Sequence, residues 1–84
     1  MASPIRLLFF AAARDLAGRA ELELSIGPNG TTVRDLADEV ARRFPGFGAN
    51  LRSIRWAVNS EYAAAGDLVR PGDEVAVIPP VAGG

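Results

Sequence analysis

The sequence predicts an α+β protein in two layers, with one main helix packed on a mixed sheet of four to five short strands. Three observations carry this expectation. Ala20 to Ile26 alternates strictly between apolar and polar residues, the period of a half-buried strand. Thr32 to Phe44 places apolar residues at helical spacing. Around these two segments, short runs of strand formers are separated by Pro- and Gly-containing turns, with no repeat, linker or low-complexity stretch. At 84 residues the chain is one domain with one core.

The elements follow in order. Ile5 to Phe10 is apolar, rich in strand formers and preceded by Pro4, so it reads as the first strand. Ala11 to Ala17 reads as a short helical turn closed by Gly18. In the second strand Ala20, Leu22, Leu24 and Ile26 share one face, and Glu21, Glu23 and Ser25 the other. Gly27-Pro-Asn-Gly30 is a turn. Thr32 then caps the main helix, with Asp35 three residues on. Val33, Leu36, Ala37, Val40, Ala41 and Phe44 form its apolar stripe. Asp38–Arg42 and Glu39–Arg43 are spaced as i,i+4 ion pairs.

Pro45-Gly46 ends this helix, and Phe47 to Arg52 reads as a loop or short turn. Ile54, Trp56 and Val58 alternate with Arg55, Ala57 and Asn59 in a third strand. Asn59-Ser60 is a turn, Glu61 to Ala65 a short edge strand, Arg70-Pro-Gly-Asp73 a turn, and Glu74 to Ile78 the last strand. With the first two strands paired, and the first and last side by side and parallel in the middle, this order matches a β-grasp (ubiquitin-like) roll. The expected division is a folded domain at 1–78 and an extended, flexible C-terminal tail at 79–84.

Composition narrows the function. The chain has no Cys, no His and no Lys; all nine cations are Arg. There is accordingly no thiolate nucleophile, no disulfide framework and no Cys-based zinc site. The commonest general base, the Schiff-base amine and the phosphate-loop lysine are missing as well. A self-contained nucleophilic enzyme has little to work with. The net charge is −1 with acids and bases interspersed, which sets nucleic acid and anionic membranes aside as main partners. Asp67, Asp73 and Glu74 lack the spacing of a cation site.

The apolar run Leu7 to Ala13 is short for a signal peptide and is followed at once by Arg14 and Asp15. No stretch approaches the ~20 residues of a membrane helix. A cytoplasmic chain is expected.

Two features could carry function. The first is Pro79-Pro80-Val81-Ala82-Gly83-Gly84. Pro-Pro favours an extended stalk, and Gly83-Gly84 could thread a channel too narrow for a Cβ. The α-carboxylate of Gly84 is then the group presented to another protein. Activation by ATP to an acyl-adenylate, with AMP displaced by a persulfide, suits such a terminus; the partner supplies the charge stabilisation and the base. The plainer alternative is a frayed end.

The second feature is an apolar excess. If Ile5, Leu7 and Phe9 face the helix, Leu8 and Phe10 point the other way; if Val75 and Val77 face it, Ala76 and Ile78 do not. With these strands as neighbours, Leu8, Phe10 and Ile78 make a docking patch at the root of the tail. The alternatives are that a loop such as Phe47 to Leu51 covers them, or that the parity is reversed. Trp56 reads as core or rim, Arg42-Arg43 as a solvated helix end, and Arg14 and Asp15 as a local pair or cap.

Leu7-Leu-Phe-Phe-Ala11 followed by Arg14-Asp-Leu-Ala-Gly18 resembles the opening of the small subunit of molybdopterin synthase. Val58-Asn59 with Tyr62 resembles its strand–turn segment. Arg70-Pro-Gly-Asp-Glu-Val75 and Ile78-Pro-Pro-Val-Ala-Gly-Gly84 resemble its C-terminal signature. The likeness runs over essentially the whole chain in the same order. Gly-Gly is shared with ubiquitin and the thiamine sulfur carrier, and Ala82 with related carriers including one for cysteine synthesis.

The resemblance implies that Gly84 is adenylated with ATP and Mg2+ by an adenylyltransferase like those that activate ubiquitin, then converted to a thiocarboxylate by way of a sulfur donor protein. It implies that the tail enters the active site of the large synthase subunit, in a heterotetramer, and gives its sulfur to cyclic pyranopterin monophosphate to build the dithiolene of molybdopterin. ATP and Mg2+ belong to the partner enzyme, and the domain itself binds no cofactor or metal. Phe10 and Ile78 match positions the family uses for docking, and Arg14 one that pairs with a partner acid. Three other readings stand beside this one: a carrier for thiamine or cysteine synthesis, a ubiquitin-like modifier of other proteins, and an interaction module with an inert tail.

Overall fold

The computed structural model describes residues 4–79, with the backbone alone at 49–52. The strands are β1 (Ile5–Phe9), β2 (Glu21–Leu24), β3 (Thr31–Thr32), β4 (Arg55–Val58), β5 (Glu61–Ala63), β6 (Leu68–Val69) and β7 (Glu74–Ile78). The helices are α1 (Ala12–Ala17) and α2 (Val33–Arg43), followed by a 3-10 segment, Pro45–Ser53, kinked at Gly48.

Five strands form one mixed sheet in the order β2-β1-β7-β4-β5. β1 and β7 run parallel at its centre, with Leu7 beside Val75 and Phe9 beside Val77. The other pairings in this sheet are antiparallel. The period-2 rule then sorts every residue: Ile5, Leu7, Phe9, Val75 and Val77 are buried, while Arg6, Leu8, Glu74, Ala76 and Ile78 lie on the outer face. The parity is the expected one.

α2 covers the inner face with Val33, Leu36 and Val40. The Thr32 Oγ1 accepts from the Asp35 N–H at 3.1 Å, as its cap position foretold. The ion pairs differ from expectation. Glu39 takes both Arg42 and Arg43, and Asp38 pairs with no cation among the described residues. One carboxylate with two oxygens reaches both the i+3 and i+4 positions, so Arg42 is drawn away from Asp38. The two guanidiniums hold the Glu39 carboxyl below its ordinary pKa, chiefly through their hydrogen bonds. Arg14 and Asp15 likewise form no ion pair or side-chain hydrogen bond among the described residues; sequence neighbours on a helix point in different directions.

Phe9, Phe44 and Phe47 close one end of the core as an aromatic cluster, with Phe9 and Phe44 meeting edge to face. Phe47 is fully buried in the core, so its loop packs on the helix side of the sheet. Trp56 is buried in the core, as read.

A second sheet of two strands, β3 and β6, pairs Thr31 with Val69 and Thr32 with Leu68. It was not legible, because two residues carry no periodicity. It anchors the start of α2: the Val33 and Arg34 N–H groups donate to the carbonyls of Asp67 and Ala65.

Candidate functional site

The outer face of the sheet at the end of β7 holds the residues singled out by sequence. The β1–β7 pairing runs on past Phe9, where the Phe10 N–H donates to the Val77 carbonyl at 3.2 Å. The Phe10 carbonyl accepts from Ala13 at 2.9 Å. The backbone of Phe10 is thus fixed on both sides while its ring stays 48% exposed. Ala11 turns the chain into α1 at φ 47, a conformation that costs an L-residue roughly 1–3 kcal/mol. Gly18 ends α1 in the left-handed region at φ 73.

Leu8, Phe10 and Arg14 line one depression of about 290 Å3, together with Phe9, Ala20 and Glu21. Leu8 is half-buried and Arg14 exposed, without an ion-pair partner among the described residues. Ile78 is half-buried at the end of β7 and lies outside this depression, flanked on its other side by Arg55 of β4. The structure therefore brings the four named residues to one face, three of them around one hollow. Pro79 follows Ile78 and is half-buried; Pro80, Val81, Ala82, Gly83 and Gly84 lie outside the described residues.

The sequence reading missed how far this face extends. Ala76 of β7 pairs with Ala57 of β4, and Ala57 with Tyr62 of β5. Ala76 and Ala57 thus join Leu8 to Tyr62, which is 71% exposed and lies under the Arg55 guanidinium at 5.9 Å. Alternation in β4 could have placed Arg55 and Ala57 outward, but only the strand order sets Arg55 beside Ile78 and Ala57 beside Ala76.

The acids around β6 and the start of β7 have local partners. Asp73 accepts from the Asn59 amide and the Arg70 N–H, Asp67 from the Ala64 N–H, and Glu74 lies 3.9 Å from Arg6. Among the described residues no group of three or more potential ligands is placed to hold a metal ion. No helix among them is long and apolar enough to cross a membrane.

A five-stranded mixed sheet with parallel central strands and one covering helix defines a ubiquitin-like β-grasp protein. Within that class the chain belongs to the ThiS family, which matches residues 7–84. The molybdopterin synthase sulfur carrier subunit of Arabidopsis thaliana is 38% identical over 80 residues, covering 95% of this chain and 82% of that one. A structure titled as a putative molybdopterin converting factor, subunit 1, from Pyrococcus furiosus superposes with a TM-score of 0.81 at 32% identity, covering 95% of this chain and all of that one. The small archaeal modifier protein 1 of H. volcanii superposes at 0.79 with 26% identity, covering 94% and 99%.

Proposed function

We propose that this chain is the sulfur-carrying subunit of a molybdopterin synthase, with Gly84 as the carrier group. The observation that carries the reading is the exit of the tail. The central strand β7 delivers Ile78 to the apolar outer face beside Phe10, and the family match runs on from there through Gly84. The Arabidopsis thaliana relative that aligns with 95% of this chain is named a molybdopterin synthase sulfur carrier subunit.

In this reading the Gly84 carboxylate attacks the α-phosphorus of ATP on an adenylating partner that holds Mg2+, and pyrophosphate leaves. The sulfur of a donor persulfide attacks the acyl carbon and AMP leaves. A thiol then cleaves the acyl disulfide to leave the thiocarboxylate. Inside the large synthase subunit the thiocarboxylate gives its sulfur to cyclic pyranopterin monophosphate, and water restores the carboxylate. The carrier contributes the acyl carbon and a docking face; acid–base chemistry belongs to its partners. Leu8, Phe10 and Ile78 anchor the face, Arg14 meets a partner carboxylate at its rim, and residues 79–84 form the inserted segment.

Intact mass spectrometry after incubation with ATP, an adenylating partner and a sulfur donor tests this. A mass gain equal to sulfur replacing oxygen, mapped to Gly84, is expected. No gain with a verified partner enzyme overturns it. The similarity to an archaeal modifier protein supports a second reading, conjugation to other proteins, which predicts stable adducts on many acceptors instead.

A further inference from the structure

A groove of about 640 Å3 runs between α2 and the β4–β5 edge. Val33, Ile54 and Trp56 form its apolar floor. Arg34 and Arg55 stand on its rim, neither with an ion-pair partner among the described residues, against one acid, Asp38. The N-terminal amides of α2 are already taken by Asp67, Ala65 and Thr32, so the positive charge here comes from the two guanidiniums.

β5 is the edge of the sheet. Asn59 and Ser60, at φ 51 and 73, make a two-residue hairpin closed by Val58 and Glu61. The closing pair of such a hairpin is hydrogen-bonded and the next is not, so the Tyr62 N–H and C=O point away from β4. Neither has a backbone partner among the described residues. A strand laid along this edge would alternate its side chains. Those on the inner side would meet the apolar floor and Arg34; those on the outer side would meet Tyr62 and Arg55.

We propose that this groove and edge form a second docking site, which takes an extended acidic segment of a partner protein with an apolar residue at its centre. Charge complementarity selects the occupant: two guanidiniums without an ion pair among the described residues flank an apolar floor, one on each face of the edge strand. The inference is independent of the chemistry at Gly84.

The test uses the full-length, 15N-labelled protein and two blocked heptapeptides. One has a central Leu flanked by Glu on both sides; the other has Lys in place of Glu. The acidic peptide is expected to shift the amides of Arg34, Arg55, Tyr62 and Ala63 and the Trp56 indole, saturably, while the basic peptide leaves them in place. Arg34→Glu and Arg55→Glu each weaken the acidic peptide about tenfold, and the double variant binds the basic one instead. Both positions are exposed, so unchanged melting temperatures accompany the switch. Equal shifts with both peptides, shifts confined to Leu8, Phe10 and Ile78, or failure to saturate overturn the proposal. So does movement of the same amides on concentrating the protein alone, which would make the groove a contact between copies of this chain.

Discussion

The ring of Phe9 meets that of Phe44 edge to face with centroids 5.7 Å apart, while Phe10, one residue on, turns its ring to solvent. One step along the chain separates a core ring from an exposed one. Phe9→Ala is expected to cost about 3–5 kcal/mol in urea unfolding, because it empties the aromatic cluster. Phe10→Ala should stay within about 0.5 kcal/mol of the parent. Comparable losses from both would mean that Phe10 also packs inside.

Phe10→Asp probes docking without probing the fold. Its affinity for the large synthase subunit, measured by titration calorimetry, should fall by a few kcal/mol if Phe10 is a buried anchor of the complex. The melting temperature should barely move. Unchanged affinity would remove Phe10 from the interface.

Asn59 ties the β4–β5 hairpin to the turn before β7. Its amide donates to Asp73 at 3.1 Å, its carbonyl oxygen accepts from the Glu74 N–H at 3.0 Å, and its own N–H donates to the Glu74 carbonyl at 2.7 Å. Asn59→Ala removes both side-chain bonds and strains φ 51, with an expected cost of about 1–2 kcal/mol. Asn59→Gly relieves the strain and loses only the bonds, so it should be the milder change. The reverse order in chemical denaturation would show that the turn conformation matters less than claimed.

The small second sheet can be tested at Gly30. A Cβ there would sit 2.5 Å from the Val69 carbonyl oxygen, at φ +85, whereas one at Gly27 meets open space. Gly30→Ala should destabilise by more than about 1 kcal/mol and Gly27→Ala by much less. Equal effects would argue that β3 and β6 contribute little.

Glu39 gives a pH dependence of known sign. Its folded pKa lies below the ordinary 4.5, so its pairs with Arg42 and Arg43 stabilise the fold above that pH. The contribution is lost as pH falls through the lowered value. Glu39→Gln should therefore be slightly less stable than the parent at neutral pH and converge with it in acid. The side chain is half-buried and its two guanidinium partners are exposed, so high salt should shrink the difference. A gap that widens in acid would contradict the sign.

The sequence by itself determined the elements whose signal is local. Alternation set the faces of β1, β2, β4 and β7; the stripe from Val33 to Phe44 set α2; Thr32, Gly18 and the Arg70–Asp73 turn set where elements stop. The candidate patch was legible for the same reason, since a run such as Leu7-Leu-Phe-Phe10 must put apolar residues on both faces of a strand. Tertiary structure alone decided what depends on distant neighbours. The pairing of two-residue strands at Thr31 and Val69 and the placing of Arg55 beside Ile78 both follow from which strands lie side by side. Periodicity reports the direction of a side chain from its own strand. It carries no term for which strand lies next to it, and here that neighbour decides how far the outer face extends and where the groove lies.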